Sequence, residues 1–66
     1  MKLHRYTHGR LKDGSMFQIL DFQKIILGEN GEIDDVKTAV LVGDKYNVVM
    51  LNDFMKNVNL ATLSGQ

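Results

Sequence analysis

Two histidines near the start of the chain have a spacing that metal sites use. In His4-Arg5-Tyr6-Thr7-His8 the two imidazoles would share one face of a helix, as they do in helical zinc sites. Arg5 stands where the zinc-protease motif requires a glutamate, and no third ligand follows nearby. On a strand, residues four apart are separated by roughly 13 Å, too far to share one ion. We therefore expect no metal site.

Two glycine-bearing loops contain parts of ligand-binding motifs. Residues 9–15 carry two glycines and a serine as a phosphate loop does, but the lysine required before the serine is absent. Residues 29–35 resemble the middle of a calcium loop, yet Ile26, Gly28 and Lys37 occupy three of its ligand positions. Both loops fit ordinary hairpin turns, and we expect no cofactor.

Nucleophiles and acid–base pairs for catalysis are poorly placed. The two serines, Ser15 and Ser64, lie outside any Gly-x-Ser-x-Gly elbow, and the chain has no cysteine. Asp34 and Asp35 are adjacent, so they would face opposite sides of a strand. A chain of 66 residues also has little material to enclose a substrate pocket. We expect no enzymatic activity and no catalytic residues.

The charges are segregated along the chain although the net charge is zero. Four basic residues precede the first acid, whereas Glu29, Glu32, Asp34 and Asp35 crowd one later turn. The basic N-terminal segment suggests nucleic-acid binding, with these candidate contacts: Lys2, Arg5, Tyr6, Arg10 and Lys12. However, eight basic residues against eight acidic ones lack the excess typical of such binders. Charge complementarity between the two hairpins, within one chain or between two copies, is the preferred interpretation.

Turn chemistry divides the sequence into short segments rich in β-branched and aromatic residues. Three glycine-bearing turns, near residues 12–15, 28–31 and 43–45, separate predicted strands at residues 3–11, 16–27, 33–42 and 45–51. The fourth strand is apolar on both faces, which predicts a central position in the sheet. A short helical turn near residues 52–57, with a capping side chain at its start, and a fifth strand at 58–63 follow.

The resulting fold is mostly β, a small antiparallel sheet of four or five strands with one helical turn. Five short strands with a helical turn before the last resemble SH3-like barrels in element order, which implies a barrel as one form of this fold. Residues 15–27 leave an alternative open. Ser15 and Gln18 form a capping-box pattern and Gly28 suits a helix C-terminus, so a helix there would give an α+β fold.

Size and composition indicate one globular domain covering residues 1–66. The sequence is 44% hydrophobic and 24% charged, which is ordinary for folded domains. No apolar run reaches the ~20 residues of a membrane span, and the N-terminus lacks a secretion signal. The absence of cysteine excludes disulfides and fits a reducing cytoplasm, which is the expected location.

These exclusions favour a non-enzymatic protein-interaction module. The expected contact residues are Phe54 and Met55, after the fourth strand, and Tyr46 within it. Small domains often supplement a thin core by oligomerisation, so a homodimer is one expected form. A chain of this size that starts at its own methionine suggests an accessory or inhibitor-type protein of a phage or mobile element. The alternative function is nucleic-acid binding through the basic N-terminal segment.

Overall fold

Five strands and one short helix make up the computed structural model, which describes residues 3–65. In chain order the elements are β1 His8–Leu11, β2 Met16–Leu27, β3 Ile33–Val42, β4 Lys45–Met50, α1 Leu51–Met55 and β5 Val58–Ser64. The first four strands are joined by tight turns in which Gly14, Gly31 and Gly43 have positive φ. Glycine adopts that backbone conformation freely, so all three predicted turns are confirmed.

The strands form one open antiparallel sheet in the order β4-β3-β2-β1-β5. The predicted mostly β fold with a single helical turn before the last strand is therefore confirmed, in its sheet form. Its edges are β4 and β5, which do not pair with each other in the described sheet. The alternative of a helix over residues 15–27 is wrong, because residues 16–27 are β2.

Two bulges interrupt the regular alternation of side chains along β2. The register between β2 and β3 shifts at Leu20 and again at Gln23. Each shift inserts one extra residue into β2, so side chains that face the same way become three positions apart instead of two. The side chains of β2 opposite Val42, Val40, Thr38 and Val36 are Phe17, Ile19, Phe22 and Ile25. A three-residue spacing also occurs in helices, but the helix alternative came from the capping-box pattern of Ser15 and Gln18 and from Gly28.

The core lies on one side of the sheet, which we call the core face. Its buried apolar side chains are Phe17, Ile19, Val40, Phe54 and Val58. α1 contributes Phe54 and β5 contributes Val58, so both elements cover the face formed by β2 and β3. Full burial of one such aliphatic side chain stabilises the fold by ~1.5–3 kcal/mol. The opposite side of the sheet, the outer face, has no such covering element within residues 3–65.

The start of α1 is held by β3 rather than by a side chain of its own. The predicted cap at Asn52 lies inside the helix, which begins at Leu51 without a side-chain cap. Instead, the Asp35 carboxylate accepts a hydrogen bond of 3.0 Å from the Asn52 backbone N–H. The Asn52 amide in turn donates to the Asp34 carbonyl at 2.8 Å. One otherwise unsatisfied backbone donor of the first helical turn thereby gains a partner.

The first strand is shorter than predicted. Residues 3–7 are not part of β1; they form a turn in which the Thr7 N–H donates to the His4 carbonyl at 3.2 Å. The Thr7 hydroxyl also accepts from the His4 N–H at 3.0 Å, and Tyr6 has a positive φ of 69°. These local hydrogen bonds compete with strand pairing, as threonine side chains commonly do.

The predicted central position of β4 is also wrong. Among the described residues it pairs only with β3, and it forms one edge of the sheet. Its apolar residues on the outer face, Tyr46 and Val48, remain exposed. The two-sided apolar pattern that suggested burial is therefore an exposed apolar edge.

Candidate protein-interaction surfaces

The three predicted contact residues have different environments. Phe54 is buried, and its ring meets that of Phe17 edge to face, with 5.2 Å between centroids. Met55 is partly buried against the same core. Only Tyr46 is largely exposed, at 59%, and its hydroxyl accepts a 3.2 Å hydrogen bond from the Gln23 amide. Phe54 is thus a core residue, since its covering of the sheet leaves little surface for a partner.

The predicted nucleic-acid contacts do not form a uniform basic surface. Arg5 stacks over the Tyr6 ring, with 5.4 Å from its guanidinium carbon to the ring centroid. Its Nε is 3.8 Å from the Asp21 carboxylate. Arg10 donates to the Gly14 carbonyl at 2.9 Å, and Lys12 is exposed nearby. Lys2 lies outside the described residues.

An acidic residue interrupts the basic segment at the first turn. The Asp13 carboxylate accepts a hydrogen bond of 2.8 Å from the Ser15 backbone N–H. This bond, together with one from the Ser15 hydroxyl, lowers the pKa of Asp13 below its ordinary value because both favour the charged form. Like any exposed aspartate, Asp13 is negative at neutral pH, and its lowered pKa extends that charge to more acidic solutions; the charge weakens the positive potential beside Lys12.

The outer half of the β2–β3 hairpin forms an exposed apolar surface that sequence reasoning missed. We call residues 25–36 the hairpin arm. Ile25, Leu27 and Ile33 are 55%, 60% and 64% exposed, respectively. Ile25 and Leu27 alternate along β2 and share a face, and Leu27 lies directly opposite Ile33 on β3. These three side chains, the arm patch, form one contiguous surface, and none belongs to the core cluster.

The arm carries only negative charge. Glu29, Glu32, Asp34 and Asp35 all lie within it, and none of the eight lysines and arginines does. The turn is closed by a 2.8 Å hydrogen bond from the Gly28 N–H to the Glu32 carbonyl, which keeps the acids clustered. The arm patch is therefore an apolar surface with an acidic border at the turn, whereas Asp35 is opposite Ile26, faces away from the patch, and is hydrogen-bonded to Asn52.

The basic N-terminal segment does not neutralise this arm. β1 pairs with residues 16–18 of β2, at the opposite end from the acidic turn. The ion pairs within residues 3–65 join Arg5 to Asp21 and Lys56 to Asp53, and neither involves the arm. The predicted complementarity of the two hairpins is thus not satisfied within one chain.

No protein family, curated protein or solved structure matched the chain when it was compared with them. The surfaces of this chain are therefore the basis for inferring its function.

The surface depressions offer little for catalysis or metal binding. One of about 230 Å³ on the outer face is lined by these residues: His8, Met16, Phe17, Gln18, Leu41 and Gly43. Two others, of about 510 Å³ beside α1 and about 270 Å³ beside the first turn, are also open, and only the larger falls within the usual ~300–1,000 Å³ of ligand pockets. None of the three brings a histidine or serine beside a carboxylate. Across residues 3–65, no three metal-ligating side chains cluster, and no helix has the length and apolar character to span a membrane.

A sequence signal for the arm patch did exist. The run Ile25-Ile26-Leu27 directly precedes an acidic turn, and Ile33 directly follows it. Apolar side chains at the tip of a hairpin have core partners only when another element reaches that far. The sequence could not establish that α1 begins beside Asp35 and does not extend far enough to cover the arm patch.

Proposed function

We propose that this chain is a non-enzymatic protein-interaction module that binds its partner through the hairpin arm. The observation that carries the proposal is the arm patch, three large aliphatic side chains, each more than half exposed and in mutual contact range. The largest contiguous apolar patch on a monomeric protein is often a functional one. Burial by a partner would remove this surface from water.

The charge of the arm selects the chemistry of the partner. The arm contains four acids and no lysine or arginine, and the nearest basic residues, Lys24 and Lys37, pair with each other at its base. A partner segment with aliphatic side chains flanked by lysine or arginine would bury the apolar part and neutralise the acidic border. Such complementarity speeds association and disfavours acidic partners. We therefore propose a basic, apolar protein segment as the ligand.

The charges of the N-terminal segment argue against nucleic acid as the partner. A phosphate backbone bound at the N-terminal segment would interact with Arg10 and Lys12, but also with the nearby Asp13 carboxylate. Arg5 already stacks on Tyr6 and lies near Asp21. Few free positive charges remain to release counterions, the main source of nucleic-acid affinity.

Selection from a random peptide library on the immobilised protein tests the proposal. We expect enriched peptides to combine aliphatic residues with lysine or arginine. Synthetic versions should bind more weakly at high salt, because salt screens the acidic border. The Leu27→Ser, Ile33→Ser double variant should bind them about tenfold more weakly, a loss of about 1.4 kcal/mol.

The matched control is Leu60→Ser, because Leu60 on β5 is exposed to a similar extent, 54%, but lies far from the arm in the sheet order. It should bind the peptides as the wild type does. Failure to enrich any peptide, enrichment of acidic peptides, or equal losses in both variants would overturn the proposal. Salt-sensitive binding of short DNA or RNA at low salt would instead support the nucleic-acid alternative.

A further inference from the structure

We infer that β4 is a self-association edge, along which two copies of this chain pair antiparallel to form one continuous sheet. The surface is separate from the arm patch, so the inference goes beyond the proposed function. It starts from the position of β4, which pairs with β3 on one side and has no partner strand on the other within residues 3–65. An edge strand presents unpaired backbone N–H and C=O groups that another strand can satisfy.

β4 lacks the features by which proteins protect an edge. All six of its residues pair with β3 in one unbroken register, so no bulge twists the edge away. It has no proline, and its single charged residue, Lys45, stands at its first position. The other edge, β5, differs. Its register with β1 shifts between His8 and Arg10, and it includes polar residues such as Asn59. Bulges and polar edges disfavour strand addition.

The side chains of β4 are complementary to themselves in an antiparallel arrangement. Tyr46, Val48 and Met50 alternate along the strand and therefore share the outer face. In a two-fold register centred on Val48, this residue meets the partner's Val48, and Tyr46 meets the partner's Met50. Aromatic and β-branched cross-strand pairs of this kind each contribute roughly 0.2–1 kcal/mol. A two-fold pairing uses the same surface on both copies, as most homodimers do.

Charge favours the antiparallel orientation. The hairpin arm holds four of the eight acids and none of the eight basic residues, so the rest of the chain carries eight basic residues against four acids. Asp34 and Asp35 contact Asn52, just beyond the end of β4. Antiparallel pairing places that acidic end beside the start of the partner strand, where the charges of Asp44 and Lys45 offset each other, so the two acidic arms lie at opposite ends of the pair. Parallel pairing would place the two acidic arms side by side, where they would repel each other.

The size of the contact predicts a weak dimer. One pair of six-residue strands contributes less than the ~800 Å² per partner of a standard interface. We therefore expect a dissociation constant on the order of 10–100 μM, which sedimentation over a range of protein concentrations can measure.

Cysteine cross-linking tests the register directly, because the chain has no cysteine of its own. In the proposed pairing two Val48 residues face each other at about 4.5–5.5 Å, within disulfide reach. Val48→Cys should therefore oxidise to a covalent dimer. Leu60→Cys on the other edge, at a site of similar exposure, should cross-link at least about tenfold more slowly. Circular dichroism confirms that both variants fold.

Sedimentation of the unmodified chain and of charge variants completes the test. Val48→Lys and Val48→Asp should each sediment as monomers, and their mixture should regain a dimer because unlike charges then meet. A wild-type chain that stays monomeric at millimolar concentration would overturn the inference, as would equal cross-linking at residues 48 and 60. Loss of dimer in the Leu27→Ser, Ile33→Ser variant would move the self-contact to the arm and also overturn it.

Discussion

The rings of Phe17 and Phe54 meet edge to face at 77° in the middle of the core. Phe17 comes from β2 and Phe54 from α1, so this contact joins the helix to the sheet, as do the hydrogen bonds of Asn52 with Asp34 and Asp35. An aromatic pair of this geometry adds about 0.5–1.5 kcal/mol beyond the burial of its surface. Phe54 therefore contributes to folding, and it positions α1 beside the base of the hairpin arm.

Replacement of Phe54 by leucine tests this structural role. Phe54→Leu should lower the free energy of unfolding by about 1–2 kcal/mol, because the edge-to-face contact and part of the buried surface are lost. Met16→Leu, at an exposed position on β2, should change it by less than about 0.5 kcal/mol. Urea denaturation measures both. Equal midpoints for the two variants would contradict the burial of Phe54.

The contact between β1 and β5 depends on one glycine. Gly9 is opposite the irregular part of β5, and a Cβ added there would lie 2.9 Å from the Thr62 hydroxyl oxygen and 3.1 Å from its carbonyl oxygen. The Thr62 hydroxyl accepts a 2.8 Å hydrogen bond from the Arg10 N–H, which the register shift leaves without a regular ladder partner. The close approach of these strands therefore requires a residue without a side chain.

Gly9→Ala should consequently destabilise the protein by about 1–3 kcal/mol, the usual cost of overpacking. Gly28→Ala is the matched control, because its added Cβ would find its nearest neighbours at 3.8 Å, an ordinary contact distance. Thermal and urea unfolding of the two variants measure the difference. A Gly9→Ala protein as stable as the Gly28→Ala protein would show that β5 can move away from β1 at little cost.

The sequence predicts some of these elements better than others. The three turns follow from local glycine chemistry, so they could be located from the sequence alone. The bulges at Leu20 and Gln23 place same-face side chains of β2 three residues apart, as also occurs in a helix. Only the pairing of β2 with β3 shows that this segment is a strand. The edge position of β4 depends on strand order, which its own apolar pattern does not encode. The arm patch was missed for the same reason, since exposure depends on which elements reach it.

At the scale of the whole molecule, the structure divides into a packed body and a less supported arm. The chain extends 36 Å along its longest axis and 22 Å along the other two. The core cluster lies in the body, whereas the arm contributes none of its residues. The hairpin arm is held by β2–β3 pairing and by the contacts of Asn52 with Asp34 and Asp35. Regions with few buried apolar contacts open locally at low free-energy cost.

Native-state hydrogen exchange of the free protein should reveal this division. Hydrogen-bonded amides of the arm should exchange about tenfold or more faster than those near Ile19 and Val40, a difference of at least about 1.4 kcal/mol in opening free energy. Equal exchange rates in the body and in the hairpin arm would contradict this division.

The Leu27→Ser, Ile33→Ser variant provides the matching equilibrium measurement. Its free energy of unfolding should stay within about 0.5 kcal/mol of the wild-type value, because these side chains are already exposed. A larger loss would mean that the arm patch stabilises the isolated chain. An unchanged free energy of unfolding would show that the body supplies the stability of the chain. The arm patch would then be free to bind a partner.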